Sequence, residues 1–263
     1  MIPLSQPTKI VESKNNRGIF VIEDLYPGYG VTVGNSLRRV LLSSLEGAAV
    51  TKVKIKGVDH EFSTLPGLME DIVSVLLQLK QLRFHMHAEE PQKATLKVKG
   101  EKEITGADFE LPTQLELLNQ DLVLAHLTEK SAELELEIQV EKGVGYVPAE
   151  EQNKEKQDIG TIVLDAIFTP IKRVSSRVEN MRVGDRTDFN RVTIEVETDG
   201  TQSPEQAFFD ATDILLKEFQ IVQDGVKGAL EAQKTVRQKE EPKEDAEKPK
   251  KAAKKSVKKT VKK

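Results

Sequence analysis

Three glycines, Gly28, Gly30 and Gly34, stand just ahead of an apolar segment with helical spacing. Backbone amides at the start of a helix attract phosphate. The spacing here is neither GxGxxG nor GxxxxGK[ST], and no ordinary βαβ series follows. A tight turn that needs glycine geometry is the favoured reading over a nucleotide cradle. His85 and His87 flank Met86 in a strand-like run and share one face, which could offer two nitrogens to a metal. Two ligands are too few, and no neighbouring acid or cysteine completes a set, so surface or packing histidines are favoured and no metal site is expected. Arg38 and Arg39 are adjacent, so a helix turns them about 100° apart. Both cannot lie opposite the apolar stripe, and one of them needs a partner; solvated arginines are the plainer reading and an arginine buried in a protein contact the functional one. The acid pairs Glu89-Glu90 and Glu150-Glu151 fall in loops, where solvation is commoner than general acid–base work. No GxSxG, HExxH or dense aspartate cluster is present.

Composition narrows the function classes further. Across 263 residues, 38% are hydrophobic and 31% charged, enough to build one large or two smaller cores. The overall balance of −4 hides a division near Gln233. From Gln233 to Lys263 there are 13 basic and 5 acidic residues; of the chain's 39 and 43, that leaves 26 and 38 in the body. A body this acidic is a poor general phosphate binder, so any nucleic-acid affinity must be local or lie in the tail. The run KKAAKKSVKKTVKK is suited to salt-sensitive contact with DNA or RNA phosphate, with solubility as the plainer alternative. The absence of cysteine excludes disulfides and thiolate chemistry and fits a reducing, cytoplasmic setting. No stretch approaches the length of a membrane span and Met1–Ile10 lacks a signal-peptide core, so no membrane partner is expected.

The elements follow from periodicity. Gly18–Glu23 reads as a strand ending at Tyr26-Pro27-Gly28-Tyr29-Gly30. Leu37, Val40, Leu41 and Leu45 predict a helix over Asn35–Glu46 with Gly47 as its carboxyl cap. Val53 and Ile55 alternate with lysines as a half-buried strand does. Leu68, Ile72, Val75, Leu76 and Leu79 predict a second helix over Leu65–Leu82. From Arg83 to Val140 the pattern is mainly β, clearest at Leu134, Leu136, Ile138 and Val140. Val192–Thr198 is a further strand. Ser203-Pro204-Glu205-Gln206 opens a long helix as a capping box with proline at the first helical position. Its stripe includes Phe208, Ala211, Leu215 and Phe219. The Lys, Glu, Ala and Pro residues that follow bury too little to order themselves, so residues 233–263 are expected to be a disordered tail.

Taken together, GNSLRRVLLSSLEGAAVTKVKIKGVDHEFSTLPGLMEDIVSVLLQLK resembles the stretch by which the α subunit of bacterial RNA polymerase is recognised. QDLVLAHLT, EKGVGYVPAE, LDAIFTPIKRVSSRVEN and RVGDRTDFNRVTIEVETDGTQSPEQAFFDATDILL resemble its later segments in the same order, over Arg17 to Val222. The resemblance implies an α+β fold with two subdomains. Residues 1–50 and 180–232 would form a helix-and-sheet dimerisation subdomain, and residues 51–179 an inserted, mainly β module.

It also implies a homodimeric assembly scaffold for a nucleotidyltransferase whose active site lies in other chains, with no cofactor and no small-molecule substrate. The expected partners are a second copy, the β and β′ subunits, and the ω and σ subunits of the holoenzyme. Arg39, Leu42, Lys80 and Asp165 match positions toward β; Arg182, Arg186 and Asp188 match the region toward β′. The dimer surface is expected at Leu37, Val40, Leu41, Leu45, Phe208, Ala211, Leu215 and Phe219, because both end helices carry more apolar surface than one face needs. The family's small carboxyl-terminal DNA-binding domain has no counterpart in this sequence, so DNA contact through the basic tail is its expected replacement. A self-contained enzyme and a basic-tailed nucleic-acid-binding structural protein are the competing readings.

Overall fold

Alternation of apolar and charged side chains builds most of this protein, and a computed structural model describes it over residues 4–152 and 160–240. In chain order the elements are β1 (Lys9–Lys14), β2 (Arg17–Leu25), α1 (Tyr29–Ser43), β3 (Glu46–Ile55), α2 (Ile72–Leu79), β4 (Phe84–Met86) and β5 (Gln92–Lys99). Next come β6 (Lys102–Thr105), β7 (Phe109–Glu110), β8 (Leu115–Leu117), β9 (Val123–Leu127), β10 (Glu133–Val144), β11 (Tyr146–Val147) and α3 (Ala149–Gln152). The chain continues through β12 (Thr161–Val163), β13 (Ala166–Ile167), β14 (Ile171–Val183), β15 (Arg186–Thr198) and α4 (Pro204–Glu240). Residues up to Asp213 form one compact unit and those from Ile214 a second. The fold is α+β, with antiparallel strand pairings in each sheet.

Two sheets dominate. The first has the order β1-β2-β15-β14 and joins the two ends of the folded chain. The second has seven strands, ordered β7-β5-β10-β3-β4-β8 with β12 paired to β3. In β10 the period-2 pattern is obeyed closely: Leu134, Leu136, Ile138 and Val140 are buried, while Glu133, Glu135 and Glu137 lie on the other face. Those leucines and branched residues meet Val53, Leu96, Ile72, Val75 and Leu79 in the main core, where α2 packs. Each such side chain contributes roughly 1.5–3 kcal/mol on burial.

Helix α1 begins six residues earlier than its apolar spacing predicts. Gly28 takes the left-handed conformation at the amino cap, φ 87°, and Gly30 and Gly34 continue as helix. Their role is close approach rather than turning: a Cβ on Gly30 would lie 2.8 Å from both Val178 and Asn190. Gly47 does not cap this helix but lies in β3, where a Cβ would meet the Phe168 carbonyl oxygen at 1.8 Å. Helix α2 is shorter than expected. Asp71 caps it, accepting from the Ser74 amide at 3.0 Å, while Gly67, φ 79°, and the bond from Met69 N to His126 O hold residues 67–69 out of the helix.

The carboxyl-terminal helix starts as expected, with Ser203 Oγ accepting from Gln206 N at 3.2 Å. The Gln206 side chain, however, donates to Asp210 at 2.7 Å instead of returning to the cap. The α4 backbone runs to Glu240, so the first eight residues expected in the tail are helical, as their Gln, Lys, Arg and Glu content favours. The remaining expected tail, residues 241–263, lies outside the described residues. The expected subdomain boundary between Glu179 and Asn180 falls inside β14, which pairs with β15 from Ile171 to Val183.

Candidate functional site

The outer face of α1 follows from how it packs. Gly30, Gly34, Leu37 and Leu41 recur on one narrow stripe and are buried, with the helix lying against β14 and β15. Two glycines in that stripe let the helix press close to the sheet and leave a wide arc in solvent. Arg38 and Arg39 therefore both fit on the exposed side, contrary to the expectation that one of them needs an internal partner. Among the described residues neither forms an ion pair. Leu42, 39% exposed, lies one turn from Arg38 and beside Arg39 on this surface.

Lys80 and Asp165 come together although 85 residues separate them. Lys80 Nζ donates to Asp165 Oδ2 at 3.1 Å, and Asp165 Oδ1 accepts from the Ala149 amide at 3.1 Å. The Ala149 hydrogen bond, then the Lys80 one, holds the Asp165 carboxyl below its ordinary range. A cleft of about 480 Å³ opens beside the pair, lined by Phe62, Leu77, Lys80, Glu150 and Leu164 among others. Phe62 is 77% exposed, an unusual position for a phenylalanine.

The RVGDRTD segment forms the turn between β14 and β15. Arg186 makes a bidentate pair with Asp188, 3.0 and 2.7 Å, and its guanidinium lies 5.6 Å from the Tyr26 ring centre and 5.2 Å from that of Phe189. The Asp188 hydrogen bond raises the pKa of Arg186, and the reciprocal bond lowers that of Asp188. Arg182 instead donates to the Gly184 carbonyl at 2.8 Å, closing the turn. These residues belong to the sheet against which α1 packs, whereas Lys80 and Asp165 lie beside the seven-stranded sheet.

Several residues expected at a dimer surface are buried in the chain's own core. Leu37, Leu41 and Leu45 are 5%, 0% and 3% exposed and Ala211 is 0%, so their side chains are already hidden within the single chain. Val40, Phe208 and Leu215 are half-buried, Phe208 by stacking on Phe20 with ring centres 4.3 Å apart. Phe219 is exposed, and Phe209, Leu216, Ile221 and Val222 on α4 share that property. The stripe is apolar as expected, but its first turns serve the core while Phe219 and Val222 further along α4 stay exposed.

Sequence reasoning missed Asn190. It is buried in β15, accepts through Oδ1 from Gly28 N at 2.9 Å and Gly30 N at 3.3 Å, and donates to Asn180 Oδ1 at 3.2 Å. The amides that a phosphate would need at this helix start are thus occupied by a side chain. An asparagine inside a β-branched alternation was the available signal, since strands are depleted in it. His85 and His87 lie on an exposed face with their rings edge to face, centres 4.7 Å apart. Among the described residues no group of three or more His, Asp or Glu is placed to hold a metal ion, and no helix is long and apolar enough to cross a membrane.

Comparison with known proteins agrees with this geometry. Residues 53–169, which carry most of the seven-stranded sheet, match the family described as RNA polymerase Rpb3/RpoA insert domain. The DNA-directed RNA polymerase subunit alpha of Carboxydothermus hydrogenoformans is 46% identical over 222 residues, 84% of this chain and 71% of that protein. The subunit alpha of Rubrobacter xylanophilus is 41% identical over 243 residues, 92% of this chain and 77% of that protein, and that of Flavobacterium psychrophilum is 43% identical over 224 residues. A chain that shares this identity over 84–92% of its length, with the insert module in place, belongs to the α-subunit family of bacterial DNA-directed RNA polymerase.

Proposed function

We propose that this chain is a non-catalytic, homodimeric scaffold on which the β and β′ subunits assemble in the cytoplasm, with ω and σ joining the completed enzyme. The observation that carries the reading is the outer face of α1, where Arg39 stands in solvent without an ion-pair partner among the described residues and Leu42 is exposed beside it. Arginine is enriched among interface hot spots, since its planar donors bind a carboxylate or carbonyl on a partner, and exposed Leu42 adds apolar area beside it. The Lys80–Asp165 pair and the cleft with exposed Phe62 and Leu77 offer a second contact for a large subunit. The turn at Arg182, Arg186 and Asp188 suits the β′ side. The exposed stripe Phe209, Leu216, Phe219 and Val222 on α4 supports pairing with a second copy.

The test is co-purification of the wild-type chain and Arg39→Ala with β and β′. The expected outcome is a dimer of unchanged size that captures β about 30-fold more weakly, the loss of a hot spot worth about 2 kcal/mol. Undiminished capture would contradict the role assigned to Arg39. DNA contact by the lysine-rich run from Lys248 to Lys263 is a separate proposal resting on its charge alone. Its removal should lower DNA retention of the assembled enzyme at low salt and leave retention at high salt unchanged.

A further inference from the structure

Arg83 sits where the two large sheets meet. It follows α2 and leads into β4 of the seven-stranded sheet, yet its guanidinium reaches the other sheet: Nε lies 3.2 Å from Oδ2 of Asp199, just beyond β15. The same side chain donates through Nη1 to the Lys80 and Leu82 carbonyls, at 3.1 and 3.2 Å. Asp199 is only 6% exposed at its side chain, and its other oxygen accepts from the Thr201 amide at 3.0 Å and hydroxyl at 2.6 Å. Two residues later Ser203 caps α4. A continuous set of polar contacts therefore joins the carboxyl end of α2, at Lys80, to the root of α4.

The surroundings make this pair more than a surface ornament. The backbone passes between the sheets after α1 and again before β14, and the two crossings touch, with Gly47 pressed against Phe168 and Asp199 N bonded to Pro170 O at 2.9 Å. These backbone contacts lie close together, so side chains that span the sheets away from them add leverage against bending. Exposed ion pairs do little, because water screens them and side-chain entropy opposes them. A buried carboxylate differs: deprived of its cation it is left charged in poor solvent, so the pair is held together strongly.

We propose that Arg83 is a positioning residue, which through Asp199 locks the surface around Lys80 at a fixed angle to the root of α4. Dimerisation would then present that surface in one orientation, ready for a large subunit. The assembly half of the claim rests on the function proposed above; the orientation half does not.

The chain has no cysteine, so Lys14→Cys and Lys99→Cys place nitroxide labels at one exposed position on each sheet without background. Doubly labelled full-length chain, diluted with unlabelled chain, is measured by pulsed electron resonance alongside β capture. Asp199→Asn keeps the acceptor for Thr201 and removes the charge that Arg83 meets. Arg83→Met/Asp199→Asn leaves no buried charge at all and guards against misfolding. The expected result for both is a broadened label distance with an intact dimer, and β capture about tenfold weaker. A distance distribution as narrow as the parent's in the double variant overturns the proposal. Broadening with undiminished capture overturns its assembly half. Lys80→Ala is run in parallel: if it too leaves capture unchanged, the fault lies in assigning that surface to a large subunit and not in the lock.

Discussion

Asn190 fills the place that a phosphate would take in a nucleotide cradle at the glycine-rich start of α1. Its Oδ1 satisfies Gly28 N and Gly30 N, amides that no bond within the helix can reach. Asn190→Ala removes the acceptor and leaves donors with little water, which should cost about 1–3 kcal/mol of stability in urea unfolding. A change within a few tenths would show that water replaces the side chain. The glycines themselves were legible as a cluster, but their purpose was not: only contact with Val178 and Asn190, some 150 residues away, distinguishes close packing from turning. Arg38 and Arg39 show the same limit. Their 100° separation was correct, but the width of the solvent arc depended on small residues facing the sheet.

At the scale of elements, strands were read better than helices. Period 2 in β10 was plain because from Glu133 to Val140 each inward side chain is apolar and each outward one acidic or polar. The outward face carries a ladder: Glu135 lies between Lys97 at 2.7 Å and Lys56 at 2.9 Å, and Glu137 and Glu133 pair with Lys93 and Lys99. The hydrogen bond from Lys97, then that from Lys56, lowers the Glu135 carboxyl from 4.5 to about 2. Because its folded pKa is depressed, the stability it adds is fully present above pH 4.5 and is lost as pH falls through about 2. A carbon-13 titration of Glu135 should therefore find it ionised well below its ordinary range, and Lys97→Met should move the midpoint upward. A midpoint at 4.5 in the parent chain would dismiss the ladder as a set of mobile surface charges. Helix α2 was overextended because Leu68 fits its stripe, whereas Glu70 is drawn away by His126, accepting from that residue's amide at 2.8 Å. A contact between residues 56 positions apart leaves no mark on local periodicity.

For the molecule as a whole, the resemblance implied a subdomain joining the two chain ends, and the boundary it implied at Asn180 falls inside β14. Its outer residues, Val178 to Val183, carry mixed polar and apolar side chains, so neither sheet membership nor period was visible there. The greater revision concerns the dimer. Leu37, Leu41 and Leu45 were chosen because they are the best-spaced apolar residues, and that spacing is what commits them to the protomer core. What stays exposed is the stripe member Phe219 and its neighbour Leu216 on α4, with Arg39 and Leu42 on α1. As proposed above, two copies of this chain together present contact faces to one β and one β′ subunit. Native mass measurement of the particle formed from the three purified chains decides the matter. Two copies of this chain for each β and β′ are expected; a stable particle holding a single copy would rule the dimeric scaffold out.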